Sequence, residues 1–126
     1  MKPPSRKPTD AELAILRILW AKGPSTVRDV AVAMGREGAY TTVLKLLQIM
    51  TDKQLVRRDE STRTHVYEAA HSETQMQQHL VADLLDRAFD GSAAKLLVRA
   101  LSLKKTSAKE LAEIRKLLKS KAGGSS

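Results

Sequence analysis

The chain has 126 residues, a net charge of +8, 42% hydrophobic and only 3% aromatic residues, so it makes one ordinary domain or two very small ones with an aliphatic core. The complete lack of cysteine excludes disulfides, thiolate chemistry and cysteine metal sites, and the shortage of aromatics argues against a surface that stacks single-stranded or RNA bases. No apolar run approaches ~18 residues and MKPPSRKP lacks an apolar core, so the expected location is soluble and cytoplasmic, without membrane insertion.

Residues 1–8 are basic and proline-rich, and read as a disordered basic arm. Thr9-Asp10-Ala11-Glu12 then forms a T-x-x-E capping box, in which each side chain satisfies a free backbone N–H of a helix start. Leu13, Leu16 and Trp20 recur at helical spacing, with Ile15 and Leu19 widening the stripe, until Gly23-Pro24 ends the helix. Thr26 and Asp29 signal a second start, with Val27, Val30, Ala31 and Met34 on one face. Gly35 and Gly38 punctuate the gap before a third helix from Tyr40. That helix turns Val43, Leu46, Leu47 and Met50 inward and leaves Thr41, Thr42, Lys45 and Gln48 outward. Leu55–Asp59 and Thr64–Glu68 read as short strands around a Glu60-Ser61-Thr62 turn. Three helices followed by a basic hairpin with Arg57, Arg58 and Arg63 have the make-up of a winged helix-turn-helix that reads DNA. The fold class is therefore mainly α (α+β), with the winged helix and its two-stranded wing over residues 9–70.

Residues 71–119 change character. Ser72 with Gln75, Ser92, and Ser107 with Glu110 mark three helix starts. Met76, Leu80, Leu84, Leu85 and Ala88 form the first apolar stripe. Leu96, Leu97, Ala100 and Leu101 form the second, and Leu111, Ile114, Leu117 and Leu118 the third. Three short helices in roughly fifty residues are about the size below which a core struggles to stand alone. The expectation is a helical dimerisation region joined to a second copy through Met76, Leu80, Leu84, Leu85, Leu96, Leu97, Leu101, Leu111, Ile114 and Leu118. Two-fold symmetry would also present two recognition helices to two half-sites. Residues 120–126 read as a disordered tail.

These segments together resemble the penicillinase repressor family, also called the BlaI/MecI/CopY transcriptional regulators. PTDAELAILRILW, AYTTVLKLL with the following IMTDKQLVRRD, HVYEA and FDGSAAKLLVRAL match family segments in order, from about Pro8 to about Lys119. The resemblance implies a homodimeric repressor on palindromic operators of resistance or stress genes, released by disruption of the dimer. It places the DNA-contacting helix on Tyr40 to Gln48, with Tyr40, Thr41, Thr42, Lys45 and Gln48 as DNA-binding residues. It places the wing on Arg57 through Tyr67, with Arg57, Arg58 and Arg63 on phosphates. Three positions depart from the family pattern. Lys53 is followed by Gln54 where relatives usually have glycine, so this turn must form without glycine's freedom at positive φ. The bond cleaved in β-lactam-responsive members falls on Arg99-Ala100 instead of Asn-Phe, so a sensor-protease partner is an open question. The cysteine cluster of the copper-responsive members is missing.

The same residues have plainer readings. Polar positions on a helix are by default a solvated face, and arginines on a two-stranded edge protect it from pairing. A basic winged helix could also serve as an interaction module for RNA or a protein partner. His65, His71 and His79 invite a metal, yet His79 with Asp83 at i, i+4 is a lone pair, and the expectation is no metal and no cofactor. Trp20, on the apolar stripe of the first helix, is expected in the core. No nucleophile–base set or glycine-rich phosphate loop is present, so no enzyme is expected.

Overall fold

The computed structural model describes residues 7–35, 39–103 and 105–124. The elements run α1 (Asp10–Lys22), β1 (Ser25–Thr26), α2 (Val27–Ala33), α3 (Tyr40–Asp52), β2 (Val56–Asp59), β3 (Val66–Ala69), α4 (Glu73–Ala88), α5 (Ala93–Leu103) and α6 (Ala108–Gly124). They form two compact units, residues 1–82 and 83–126. The basic arm falls almost wholly outside the described residues; Lys7 and Pro8 lead into α1 without regular structure.

In the first unit both capping boxes form as the sequence indicates. The Thr9 N–H donates to Glu12 Oε1 at 2.8 Å and the Glu12 N–H to Thr9 Oγ1 at 3.2 Å. Thr26 and Asp29 exchange the same pair of bonds at 3.1 Å each. Satisfying the free N–H groups of both starts fixes where α1 and α2 begin. Gly23, at φ 85°, closes α1 by donating its N–H to Leu19 O. The core joins Ile15, Leu16 and Leu19 of α1, Val27, Val30 and Ala31 of α2, and Val43, Leu47 and Met50 of α3 to Leu55, Val56 and Tyr67 of the sheet. Trp20 is half-buried against this core, its Nε1–H donating to His71 O at 2.9 Å.

The sheet differs from the expected hairpin in two ways. It has three strands in the order β1-β3-β2, because Ser25 and Thr26 pair antiparallel with Tyr67 and Val66. Two residues are too few for alternating hydrophobicity to reveal, and only the packing of α1 against β3 brings them to that edge. β3 also starts at Val66, two residues later than the sequence suggests. The loop before it holds its own bonds: Asp59 accepts from the Ser61 N–H at 2.8 Å and Thr62 Oγ1 donates to Thr64 O. Such local side-chain bonds compete with the strand ladder.

The turn from α3 into the wing carries the family's departure. Gln54 stands at φ 65°, so a residue with a Cβ occupies the left-handed conformation that glycine adopts freely. The turn is held by Leu55 N–H donating to Met50 O at 2.9 Å and Ala70 N–H to Leu55 O at 3.0 Å. One residue earlier, Lys53 Nζ reaches Glu12 Oε1 at 2.8 Å and Oε2 at 3.0 Å. Glu12 is only 2% exposed. Burial raises its pKa, but the Lys53 ammonium and the Thr9 bonds outweigh that and hold it below the ordinary carboxylate value. One carboxylate thus caps α1 and anchors the end of α3.

The start of α4 belongs to the first unit. Ser72 and Gln75 cap it reciprocally at 2.9 and 3.1 Å. Met76 is 1% exposed within the core and Leu80 packs against it. Met76 is therefore not on an open seam, as its place in the stripe suggests, because the chain leaving β3 carries it straight back onto α1 and the sheet.

In the second unit α4 ends through a turn in which Asp90 and Gly91 both take positive φ and the Gly91 N–H donates to Leu85 O at 2.8 Å. Ser92 caps α5 through the Lys95 N–H, and Ser107 caps α6 through the Glu110 N–H, both at 3.1 Å. α6 continues to Gly124, beyond the Lys119 limit read from the sequence. Lys119, Lys121 and Ala122 have good helix propensity and extend it, and helix ends seldom stop sharply. No residue of α5 is buried.

Candidate nucleic-acid interface

α3 divides cleanly. Val43, Leu47 and Met50 are fully inside, and Thr41, Thr42, Lys45 and Gln48 are turned away from them on the outer side. Tyr40, at its first turn, is also open to solvent. A helix whose buried face is fixed by the core can present its other face as a rigid reading edge. The outer side offers hydroxyls, an ammonium and an amide, which are the groups that pair with base edges and phosphates in a major groove.

The hairpin splits the three wing arginines. Arg57 and Arg58 are neighbours on β2, so their side chains leave on opposite faces of the sheet. Arg57 stands opposite Glu68 in the register and pairs with it at 3.3 Å, beside a hollow lined also by Trp20 and His71. Arg58 stands opposite Tyr67 and pairs with Glu60 at 2.7 Å. A hydrogen bond to the Tyr67 phenol, with the Glu60 charge behind it, raises the Arg58 pKa further. Arg63 is exposed in the loop.

A groove of about 430 Å³ joins the start of α3 to the wing. Its walls include Arg28, Tyr40, Leu44, Arg63, His65 and Tyr67. Tyr40 and Arg63, assigned separately from the sequence, are thus brought together, whereas Arg57 lies elsewhere. Arg28 is the residue that sequence reasoning passed over. It is exposed on α2, and the available signal was its place directly after the Thr26-Val27 start, facing away from Val30. The groove carries Arg28 and Arg63, with no carboxylate among the described residues that line it.

His71 ties the back of this unit together. It is buried, its ring stands edge-on to His79 with centroids 5.9 Å apart, and its backbone accepts from Trp20. Burial lowers its pKa below 6.5, reinforced by His79 and Arg57 and opposed by a bond to the Gln54 backbone.

Of the ten residues assigned to a dimer seam, Met76 and Leu80 serve the first unit. Leu84, Leu101 and Leu118 are exposed, and the other five members of the seam are covered only in part by their own chain. Leu103, at 87%, and Leu117, at 59%, add apolar surface that the seam did not include. Arg99 and Ala100 are exposed in the middle of α5. No helix among the described residues is long and apolar enough to cross a membrane.

Residues 8–120 match the model of the penicillinase repressor family. The transcriptional regulator BlaI of Mycobacterium tuberculosis, in strains CDC 1551 and H37Rv alike, is 38% identical over 93 residues, covering 71% of this chain and 67% of the relative. Among solved structures, the PcaV transcriptional regulator of Streptomyces coelicolor, crystallised with its natural ligand, is 18% identical at a TM-score of 0.45, covering 96% of this chain and 79% of that one. ZitR of Lactococcus lactis, solved as a cysteine-to-serine mutant, is 17% identical at a TM-score of 0.42, covering 97% of this chain and 82% of that one. Both structural likenesses are too loose to carry an argument about this chain's ligand or assembly.

Proposed function

Because the chain belongs to the penicillinase repressor family, a family of transcriptional repressors and not of enzymes, we propose that it represses transcription as a homodimer bound to a palindromic operator in the cytoplasm. The observation that carries this reading is α3, locked by three buried side chains while Thr41, Thr42, Lys45 and Gln48 stand on its outer side beside the wing. These four, with Tyr40, reach into the major groove and read base edges. Arg28 and Arg63 grip phosphates along the groove between α3 and the wing, and Arg58 supports them. Arg57, engaged with Glu68 on the other face, has the smaller part. Base contacts set which sequence is bound, and phosphate contacts set how tightly any duplex is held.

The dimer is formed by the apolar faces of the second unit, which one chain leaves open. Two heads on one dimer make the second half-site contact intramolecular, at an effective concentration that reaches the millimolar range. Losing the dimer removes that gain without altering a single DNA contact. Cutting α5 at Arg99-Ala100 would therefore release the operator, whether or not a sensor protease performs the cut. The deciding experiment is nuclease footprinting on the DNA upstream of the protein's own gene. A protected palindrome with half-sites about one helical turn apart, ~34–36 Å, supports the reading, and protection without sequence preference defeats it. A foreign protease site placed between Arg99 and Ala100 then tests release: retention of full operator affinity after cleavage would rule out the dimer-based route.

A further inference from the structure

More of this chain's net charge lies in its second unit than in its DNA-reading unit. Residues 1–82 hold 12 lysines and arginines against 9 aspartates and glutamates, a net +3, whereas residues 83–126 hold 10 against 5, a net +5, and from residue 91 onward 9 cations face only 2 carboxylates. Even the cations of the wing are partly neutralised in place, Arg57 by Glu68 and Arg58 by Glu60. On α6 the situation is reversed. Lys109, Arg115, Lys116 and Lys119 fall within about 120° of one another around the helix, with Leu111, Ile114, Leu117 and Leu118 on the other side. All four cations are exposed, and among the described residues none has a carboxylate within ion-pair distance.

We propose that the basic face of α6 is a second DNA-binding surface, which holds the phosphate backbone of a duplex irrespective of its sequence. The four cations span about ten residues, roughly 15 Å of helix, and the same length of duplex axis carries about nine phosphate charges. Lysine and arginine at that density meet a uniform polyanion without needing a fixed register, so this face supplies affinity and no readout. The proposal rests on the repressor reading for its choice of polyanion. In the dimer of that reading two such segments meet, and their mutual repulsion is offset when a duplex neutralises them. The division of labour that follows has α3 choosing the site while α6 provides much of the electrostatic hold.

Replacing Lys109, Arg115, Lys116 and Lys119 together by glutamine keeps helix propensity and leaves the apolar face intact. Binding of wild type and variant to operator and to random duplex is measured over a salt series, with light scattering to confirm the same oligomeric state. The variant's log–log salt slope should be shallower by up to about 3.6 per protomer engaged, equally on both DNAs, so that the operator-to-random ratio is preserved. Lys109→Arg with Lys116→Arg and Lys119→Arg should restore the wild-type slope. Equal slopes for wild type and the glutamine variant overturn the proposal, as does a loss confined to the operator. So does an unchanged DNA slope accompanied by lost binding to phosphatidylserine vesicles, which would assign the face to a membrane. Amine labelling of wild type with and without random duplex needs no variant: Lys109, Lys116 and Lys119 should be protected by DNA, and undiminished labelling overturns the idea. If no duplex is preferred over another, the repressor reading fails while the slope difference still stands, so the two failures are distinguishable.

Discussion

The two units solve the same problem with opposite results. In the first, α1, α2, α3 and the sheet enclose a core in which Ile15, Leu16, Val30, Leu47, Met50 and Leu55 are completely hidden. In the second, helices with equally clear apolar stripes bury nothing in α5 and leave Leu103, Leu117 and Leu118 largely open. A stripe is a demand for a partner, and burial supplies the stabilisation only when one is found, at about 25 cal/mol per Å² removed from water. The first unit has enough elements, crossing at different angles, to meet that demand internally. The second has amphipathic helices and short links, and its demand points outside the chain.

The sharpest way to test this contrast is to break the first unit where it is most committed. Lys53→Ala leaves the Glu12 carboxylate buried without its ammonium, which should cost about 3–5 kcal/mol and show as a lower urea midpoint at any protein concentration. Leu47→Ala should cost ~2–5 kcal/mol in the same measurement, again independent of concentration. The second unit should respond differently. Leu117→Ala removes a side chain that is open in one chain and that the proposed dimer would cover, so a loss of ~1.5–3 kcal/mol should appear in the dimer dissociation constant by analytical ultracentrifugation. An unchanged dissociation constant would mean that this face is not a seam, and a concentration-independent loss would place it in a core.

Smaller effects refine the head itself. Gln54→Gly relieves the left-handed strain at φ 65° and should raise stability by about 1 kcal/mol, provided the wing keeps its place, which an unchanged operator affinity would show. The smallest effect should be pH-dependent. The His71 pKa is held below 6.5 in the folded unit, first by burial and then by His79 and Arg57. The unfolded chain therefore binds more protons just below pH 6.5. The stability His71 contributes is complete above that value and is lost as pH falls through its folded pKa. Thermal unfolding of wild type should weaken across that window, and His71→Gln should flatten the dependence.

Much of the first unit was legible because its signals are local. Thr9/Glu12 and Thr26/Asp29 form their boxes where the sequence puts them, and the inward and outward faces of α3 follow from a 3.6-residue period. The positive φ at Gln54 was also legible, as the place where a glycine was missing. What escaped was non-local. β1 is two residues that become a strand only because β3 lies alongside. Arg57 and Arg58 read as one basic pair until the pleat sends them to different partners, Glu68 and Glu60. Arg28 carries no motif and gains its meaning from the groove it shares with Tyr40 and Arg63.

The sequence by itself determined the helices, their caps, the outward hydroxyls and lysine of α3, and the surplus of apolar faces after Ser72, since each depends on neighbours within about one turn. Only the tertiary structure decided that Met76 closes the first core instead of opening a seam, that Glu12 fastens α1 to the end of α3 through Lys53, and that Arg63 lines one groove with Tyr40 and Leu44 of α3. Those outcomes depend on residues tens of positions apart coming within a few ångströms. Chain connectivity and packing set that proximity, and no periodicity encodes it.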